Sequence, residues 1–367
     1  MSRPDVHRLL DTPRYPADRY APLADRLKRL LATTADVVFI QAEAILALEA
    51  VAASIARPGV SAVNIVTSPY GAWFGAWLRR GGAVVHQVSA EPGQPIEAAA
   101  VSACIDALPH VDIVAAVHAE SSNGVLNPLA ELAALAQACD ALFVVDAVAS
   151  VGGHRIDFDA LAIDIAVIGA QKALAGPAGV SAIAISGKAW THIAATPDFA
   201  PSSLSLADIK RNWVEKGRQA LPGMPPALEF WALEAALDRI DAEGVHNVIA
   251  RHQLAARASR AGLRALGVAP WIAADEAASA LVTSAPIPSG VDAGELIADA
   301  ARWGVELVPG FGDSEGRLVR LGHTGGHASF DKVLANVAAY GAALARQQVK
   351  VDIGAAARAV TDAYATF

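Results

Sequence analysis

The stretch Val144-Val145-Asp146-Ala147-Val148-Ala149-Ser150, followed by Ile165-Ala166-Val167-Ile168-Gly169-Ala170-Gln171-Lys172-Ala173-Leu174-Ala175-Gly176-Pro177, decides the fold. In each half a short apolar run leads to a charged residue at or just past its end. Such runs read as strands buried on both faces. The same kind of run recurs at Ala62–Val66, Val84–Val88, Ile113–Val117 and Leu142–Val145. Between them, residues 45–56, 72–80, 95–108 and 129–139 have helical spacing and length. This alternation predicts an α/β layer fold with a mostly parallel sheet. Ligands of open α/β sheets bind outside the carboxyl ends of the strands, where Asp146 and Lys172 both arrive.

Two opposite charges meeting there admit two readings. In one, desolvation lowers the Lys172 pKa and frees an amine for Schiff-base chemistry, while Asp146 holds a pyridine nitrogen protonated so that the ring acts as an electron sink. In the other, the two form a structural ion pair at the sheet edge.

The rest of the chain is organised around this unit. Residues 187–226 are irregular and rich in Pro, Ser and charge, as suits a crossing region. A long helix is predicted from Ala227 to Gly244. A smaller C-terminal unit follows, with helices at 248–266, 292–302 and 329–346, apolar stretches at 280–285 and 305–308, and a last helix after Gln348. The expected division is a large cofactor-binding domain over 1–240, including an N-terminal arm and the crossing region, and a small α+β domain over 241–367.

Composition narrows the function. With 29 Lys plus Arg against 37 Asp plus Glu, the net charge is −8, and no basic block could neutralise a row of phosphates. Nucleic acid is excluded as an expected partner. Hydrophobic residues make up 54% and charged ones 18%, yet Glu43, Glu49 and Arg57 interrupt the apolar windows before a bilayer is spanned. No membrane partner is expected, and with no secretory signal at the amino end the expected location is the cytoplasm. Apolar surface in this excess points to a second subunit, as in obligate dimers. Cys104 and Cys139 have no CxxC or paired-His spacing and read as buried thiols.

The set Glu120-Ser121-Ser122-Asn123-Gly124, Val145-Asp146-Ala147-Val148-Ala149-Ser150 and Gln171-Lys172-Ala173-Leu174 resembles the class V aminotransferases of pyridoxal-phosphate fold type I, especially the alanine-glyoxylate and serine-pyruvate transaminases. The likeness runs from about Phe39 to about Gly341. It implies a seven-stranded large-domain sheet with helices on both faces, a small C-terminal domain, and a homodimer, with further assembly to a tetramer open. By the same resemblance Lys172 would be the Schiff-base lysine and proton carrier, and Asp146 the partner of the pyridinium nitrogen. Tyr70, beside Gly71, would stack on one face of the ring and Val148 would pack on the other. Ser122 would bond near the ring oxygen, Gln171 would sit at the phosphate end, and Arg320 would clamp a substrate carboxylate. Tyr70, Val148 and Arg320 also have ordinary readings as packing and surface residues.

The sequence departs from the family pattern where phosphate is held. The family's Ser/Gly turn at a helix N-terminus is here Ile40-Gln41-Ala42-Glu43-Ala44-Ile45, with a carboxylate where a phosphate would lie. A Thr before Pro-Pro, which in the family reaches the partner subunit's phosphate, is here Met224. Both changes resemble the branch of the family represented by pyridoxamine-pyruvate transaminase, which takes unphosphorylated pyridoxamine or pyridoxal as a substrate. In that branch Glu43, with Ala44 beside it, would hold the vitamer's hydroxymethyl end; in the ordinary reading Glu43 only caps the helix through its side chain, with phosphate bound elsewhere or the glutamate protonated. Phe311 and about Leu10 stand where that branch has an arginine and a tyrosine. The expected function is therefore transfer of an amino group between a pyridoxamine/pyridoxal vitamer and a small keto acid such as pyruvate, giving L-alanine. The alternatives are a pyridoxal-phosphate-bound alanine/serine-glyoxylate or -pyruvate aminotransferase, and a non-catalytic binding protein of the same fold.

Other motifs carry no function in this reading. His118-x-Glu120 lacks the Pro-Cys-x-x-Cys of zinc deaminases. His323 and His327 are separated by Gly325-Gly326, so no helix is expected to present both to a metal. Gly310-x-Gly312-x-x-x-Gly316 has the wrong spacing for a dinucleotide fingerprint. No metal is expected.

Overall fold

A computed structural model describes residues 11–196 and 202–366. Helix α1 (Tyr20–Leu30) precedes an alternating series: β1 (Asp36–Ile40), α2 (Ala44–Ile55), β2 (Ser61–Val66), α3 (Pro69–Arg80), β3 (Val84–Ser89), α4 (Ala98–Asp106), β4 (Ile113–Val117), α5 (Leu129–Ala138), β5 (Leu142–Asp146), β6 (Ile165–Gly169) and β7 (Ser181–Ile185). Helices α6 (Gly187–Ala194), α7 (Leu206–Ile209), α8 (Ala227–Glu243) and α9 (Val245–Ala265) lead out of it. The strands form one sheet in the order β1-β7-β6-β5-β4-β2-β3, with β7 antiparallel to both neighbours and the rest parallel. The carboxyl ends of β2, β4, β5 and β6 thereby open on the same side, as parallel strands require.

Strands β4 and β6 are buried at every position. This is why they read as unbroken apolar runs. Strand β3 differs from its expected double burial. It is the edge of the sheet, paired only with β2, and Val84 is 57% exposed. The crossing region is also more regular than expected: Ser186 accepts the Ala189 N–H through its hydroxyl and starts α6. Both cysteines are half-buried and free rather than fully buried.

The C-terminal part contains β8 (Val282–Pro286), α10 (Ala293–Arg302), β9 (Val308–Pro309), β10 (Leu318–Gly322), α11 (Phe330–Arg346) and α12 (Ile353–Ala365). Its three strands form a separate antiparallel sheet, β8-β10-β9. One apolar core runs from Tyr15 to Val248 and a second from Ala255 to Val360, so α9 contributes to both. Among the described residues no helix is long and apolar enough to cross a membrane.

Three buried histidines and the half-buried His154 are expected to set the acid limit of this fold. Burial pushes His118 and His323 down to about 3 and His154 and His252 down to about 4, with His154 adding to the effect on His118. Their lowered folded-state values stabilise the fold fully above pH 6.5, and that contribution is lost as the pH falls toward 3 to 4. Each would cost about 3–5 kcal/mol if fully charged in place, against a total stability of about 5–15 kcal/mol. Glu120 and Asp146, raised to about 7 and about 6 by burial, act in the opposite sense between pH 4 and 7 but are outnumbered. Acid unfolding followed by tryptophan fluorescence is expected to have its midpoint between roughly pH 4 and 5. A native signal persisting below about pH 3 would show that these imidazoles do not control it.

Candidate active site

The ends of β5 and β6, the loop after β4, and the first turns of α2 and α3 enclose a cavity of about 260 Å³. Its size is near the lower end of the roughly 300–1,000 Å³ usual for small-ligand sites. Lys172, Asp146, Tyr70, Val148, Glu43 and Ala44 all stand on its wall, joined by Trp73, Glu120 and Ser121. These residues come from separate parts of the chain, and only the common direction of the parallel strands brings them together.

Asp146 closes β5. One of its oxygens accepts the Val148 N–H at 3.0 Å. Burial raises its pKa to about 6, opposed by that N–H and by Lys172, while Glu43 adds to the rise. Lys172 follows β6, and its Nζ reaches Ser121 Oγ at 3.5 Å. Burial lowers the lysine pKa first and Arg320 lowers it further, whereas Glu43 and Asp146 hold it up. No direct Lys172–Asp146 salt bridge forms, so the ion-pair reading does not describe this pair.

Tyr70 lies in the first turn of α3, where Ser68 accepts its N–H at 3.2 Å. Gly71 supports that turn. A Cβ on it would meet the Ile65 carbonyl oxygen at 2.7 Å, so only glycine lets α3 approach β2 this closely. Val148 packs against Gly169, whose added Cβ would fall 2.5 Å from the valine Cγ1. The position of Leu10 lies outside the described residues.

Two neighbouring serines exchange places relative to expectation. Ser121 faces the cavity, while Ser122 is fully buried off its wall with its hydroxyl unpartnered. Glu120, which the motif reading leaves without a role, is buried beside them. Its Oε1 accepts the Thr67 hydroxyl at 2.6 Å and its Oε2 has no partner. Burial raises its pKa to about 7 against the Thr67 and Ser68 hydroxyls, with Asp146 adding to the rise. Trp73 was legible in principle, since it lies three residues from Tyr70 on the same helix face.

Arg320 occupies the middle of β10 and stands behind the cavity rather than on its wall. Its Nη1 donates to the Ser121 carbonyl at 2.7 Å and its Nε to that of Pro309 at 3.1 Å. Burial lowers its pKa, partly offset by Tyr70. Met224 is 90% exposed.

The cavity lining suits a pyridine ring: Tyr70, Trp73 and Val148 line it together with the Asp146 carboxylate and the Lys172 amine. The α2 end does not suit a phosphate ester. Glu43 caps this helix, its Oε2 accepting the Ile45 N–H at 2.8 Å and its Oε1 the Gln171 amide at 2.7 Å. The N–H that would greet an anion is already taken, by an anion. Among the described residues no group of three or more His, Cys, Asp or Glu could hold a metal ion.

Known proteins share this chain's sequence pattern and fold. The family model for aminotransferase class-V matches residues 17–298. Pyridoxamine–pyruvate transaminase of Mesorhizobium japonicum is 34% identical over 350 residues, which cover 94% of this chain and 88% of that protein. The crystal structure of pyridoxamine-pyruvate aminotransferase from Mesorhizobium loti superposes with a TM-score of 0.92 at 31% identity, covering all of this chain and 95% of that one. Ureidoglycine-glyoxylate aminotransferase from Bacillus subtilis gives a TM-score of 0.89 at 27% identity over 99% of this chain and 95% of its own.

Proposed function

The chain belongs to the class-V aminotransferases, and on that premise we propose that it exchanges an amino group between unphosphorylated pyridoxamine or pyridoxal, taken as a substrate, and a small keto acid such as pyruvate. Enzymes of this family depend on pyridoxal phosphate. The observation that carries the departure from that rule is Glu43, which puts a carboxylate at the N-terminus of α2, one oxygen on the Ile45 N–H and the other on the Gln171 amide, where a phosphate would need those donors. The relative named pyridoxamine–pyruvate transaminase supports the same reading.

A bound pyridine ring supplies an electron sink that lowers the cost of moving a proton at the amino-bearing carbon. The chain's own residues do the rest. Asp146, at the end of β5, would keep the ring nitrogen protonated; burial raises its pKa to about 6, so it is still mainly a carboxylate at neutral pH. Tyr70 and Val148 flank the ring, and Ser121 bonds its oxygen in place of the expected Ser122. Lys172 Nζ is the nucleophile and moves the proton, helped by burial that favours its neutral amine. Glu43, with Ala44, receives the hydroxymethyl end, and Gln171 holds the glutamate in place. Arg320 takes the keto-acid carboxylate. The active unit is a homodimer, consistent with the exposed apolar Met224 and the 54% hydrophobic composition.

The test is to incubate dialysed protein with pyridoxamine and pyruvate and to assay pyridoxal and L-alanine in equal amounts. Product formation with pyridoxamine, and little with its phosphate ester, is the expected outcome. Tightly retained pyridoxal phosphate together with alanine–glyoxylate exchange would replace this reading by that of a phosphate-bound enzyme.

A further inference from the structure

We propose that the acid partner of this reaction lays its side chain across Trp73 towards Phe311, so that the site selects uncharged apolar side chains and rejects dicarboxylic acids. The proposal rests on the aminotransferase reading and specifies the substrate class of the same site. The carboxylate end is set by Arg320, which stands behind the cavity with Nε on the Pro309 carbonyl and Nη1 on the Ser121 carbonyl at 2.7 Å, leaving Nη2 to take a carboxylate, and the hydroxyl of that same serine lies 3.5 Å from Lys172 Nζ. The carboxylate anchor and the reacting amine are therefore one residue apart in space.

From Arg320 the structure leads directly to an aromatic surface. Its Nε donates to Pro309 at 3.1 Å, and two residues further the chain turns at Phe311. That turn is held by Ser314, whose Oγ accepts the Phe311 N–H at 3.0 Å and donates to the Phe311 carbonyl at 2.9 Å. Gly312, at φ +63°, lies against Pro69 at the start of α3, where an added Cβ would sit 2.3 Å from the proline ring. Phe311 is thus fixed beside α3, with its ring centroid 5.7 Å from that of Trp73 and 6.2 Å from that of Tyr70. Trp73 and Phe311 nevertheless keep 40% and 38% of their surface exposed.

Trp73 lines both the Lys172 cavity and an adjoining one of about 340 Å³, which Phe311 also lines. Among the described residues Lys172 is the one basic residue on the walls of either cavity, whereas Glu43, Glu120, Asp146 and Asp313 supply carboxyl groups. A second carboxylate on the substrate would meet acids and find no partner. An apolar chain would cover two half-exposed rings.

Isothermal titration of the full chain, free of vitamer, with propanoate, butanoate, pentanoate, 3-phenylpropanoate and succinate tests this without any reaction. Affinity is expected to rise about fourfold per added methylene, with succinate weaker than butanoate. Phe311→Ala should flatten the series, and Phe311→Arg should make succinate the tighter ligand of that pair. A flat series in the natural protein, succinate binding at least as well as butanoate, no carboxylate binding at all, or a slope unchanged by Phe311→Ala would each overturn the proposal. Failure of the transaminase reading is separately visible, because it appears as no pyridoxal from pyridoxamine and pyruvate.

Discussion

Replacing Lys172 by alanine is expected to abolish the visible absorbance that develops when pyridoxal binds and to lower the rate of amino-group exchange by about 10⁴-fold. The expectation follows from the surroundings of Nζ. Burial and Arg320 both push this ammonium towards the neutral amine, and its hydrogen bond to Ser121 Oγ is long, at 3.5 Å. Among the described residues no other lysine lines the cavity, so none of them offers a second amine in its place. Stability should be unchanged or slightly higher, because the variant removes a partly desolvated cation that makes no direct salt bridge. Those two readouts separate chemistry from folding. A variant that still developed the pyridoxal band, or that exchanged amino groups within tenfold of the natural rate, would remove Lys172 from the role of nucleophile. The same variant unfolding at room temperature would instead assign the lysine to the architecture.

The parts of this molecule that were legible in its sequence are those in which local pattern and final environment coincide. Strands β4 and β6 are buried on both faces, and continuous apolar runs report that condition directly. Strand β3 has a similar run but lies at the sheet edge, and edge status depends on what fails to pair beside it, which no local pattern records. Helix α6 is only eight residues long, too short for periodicity to distinguish it from the polar loop around it. In the site, Asp146 and Lys172 were readable because each ends or follows a buried strand. The choice between Ser121 and Ser122 was not. Both lie in a turn set by the Gly124 N–H donating to the Glu120 carbonyl at 3.1 Å, by Gly124 at φ +83° and by the Asn123 side chain, which accepts the Val125 N–H at 3.0 Å, and a turn has no fixed alternation of side chains to read from sequence. Glu120 was equally opaque, because its burial comes from tertiary partners: Thr67 bonds it, and Asn127 bonds Thr67 at 2.8 Å.

Replacing Glu43 by serine is expected to raise the preference for pyridoxal phosphate over pyridoxal by roughly 10²–10³-fold, read as the ratio of their dissociation constants in absorbance titrations. Two physical effects combine. The first is charge: like unit charges about 4 Å apart repel by about 4 kcal/mol at the effective dielectric of a partly exposed protein site, and the ester is close to a dianion. Solvent and salt reduce that figure, which is why the expected change is smaller than its full conversion. The second is the supply of donors. Glu43 now takes the Ile45 N–H at 2.8 Å and the Gln171 amide at 2.7 Å, and a serine would free the amide and put a short neutral hydroxyl, itself a donor, at the helix end to meet an incoming anion. Serine is also a good N-cap, so α2 should keep its start, and a Tm within a few degrees of the natural protein checks this. Glu43→Gln separates the two effects. It removes the charge while keeping a side chain long enough to bond Ile45 and Gln171, so it should yield only part of the shift. Equal preference for the two vitamers in all three proteins would mean that Glu43 caps a helix and nothing more, and that phosphate is accommodated elsewhere in the site.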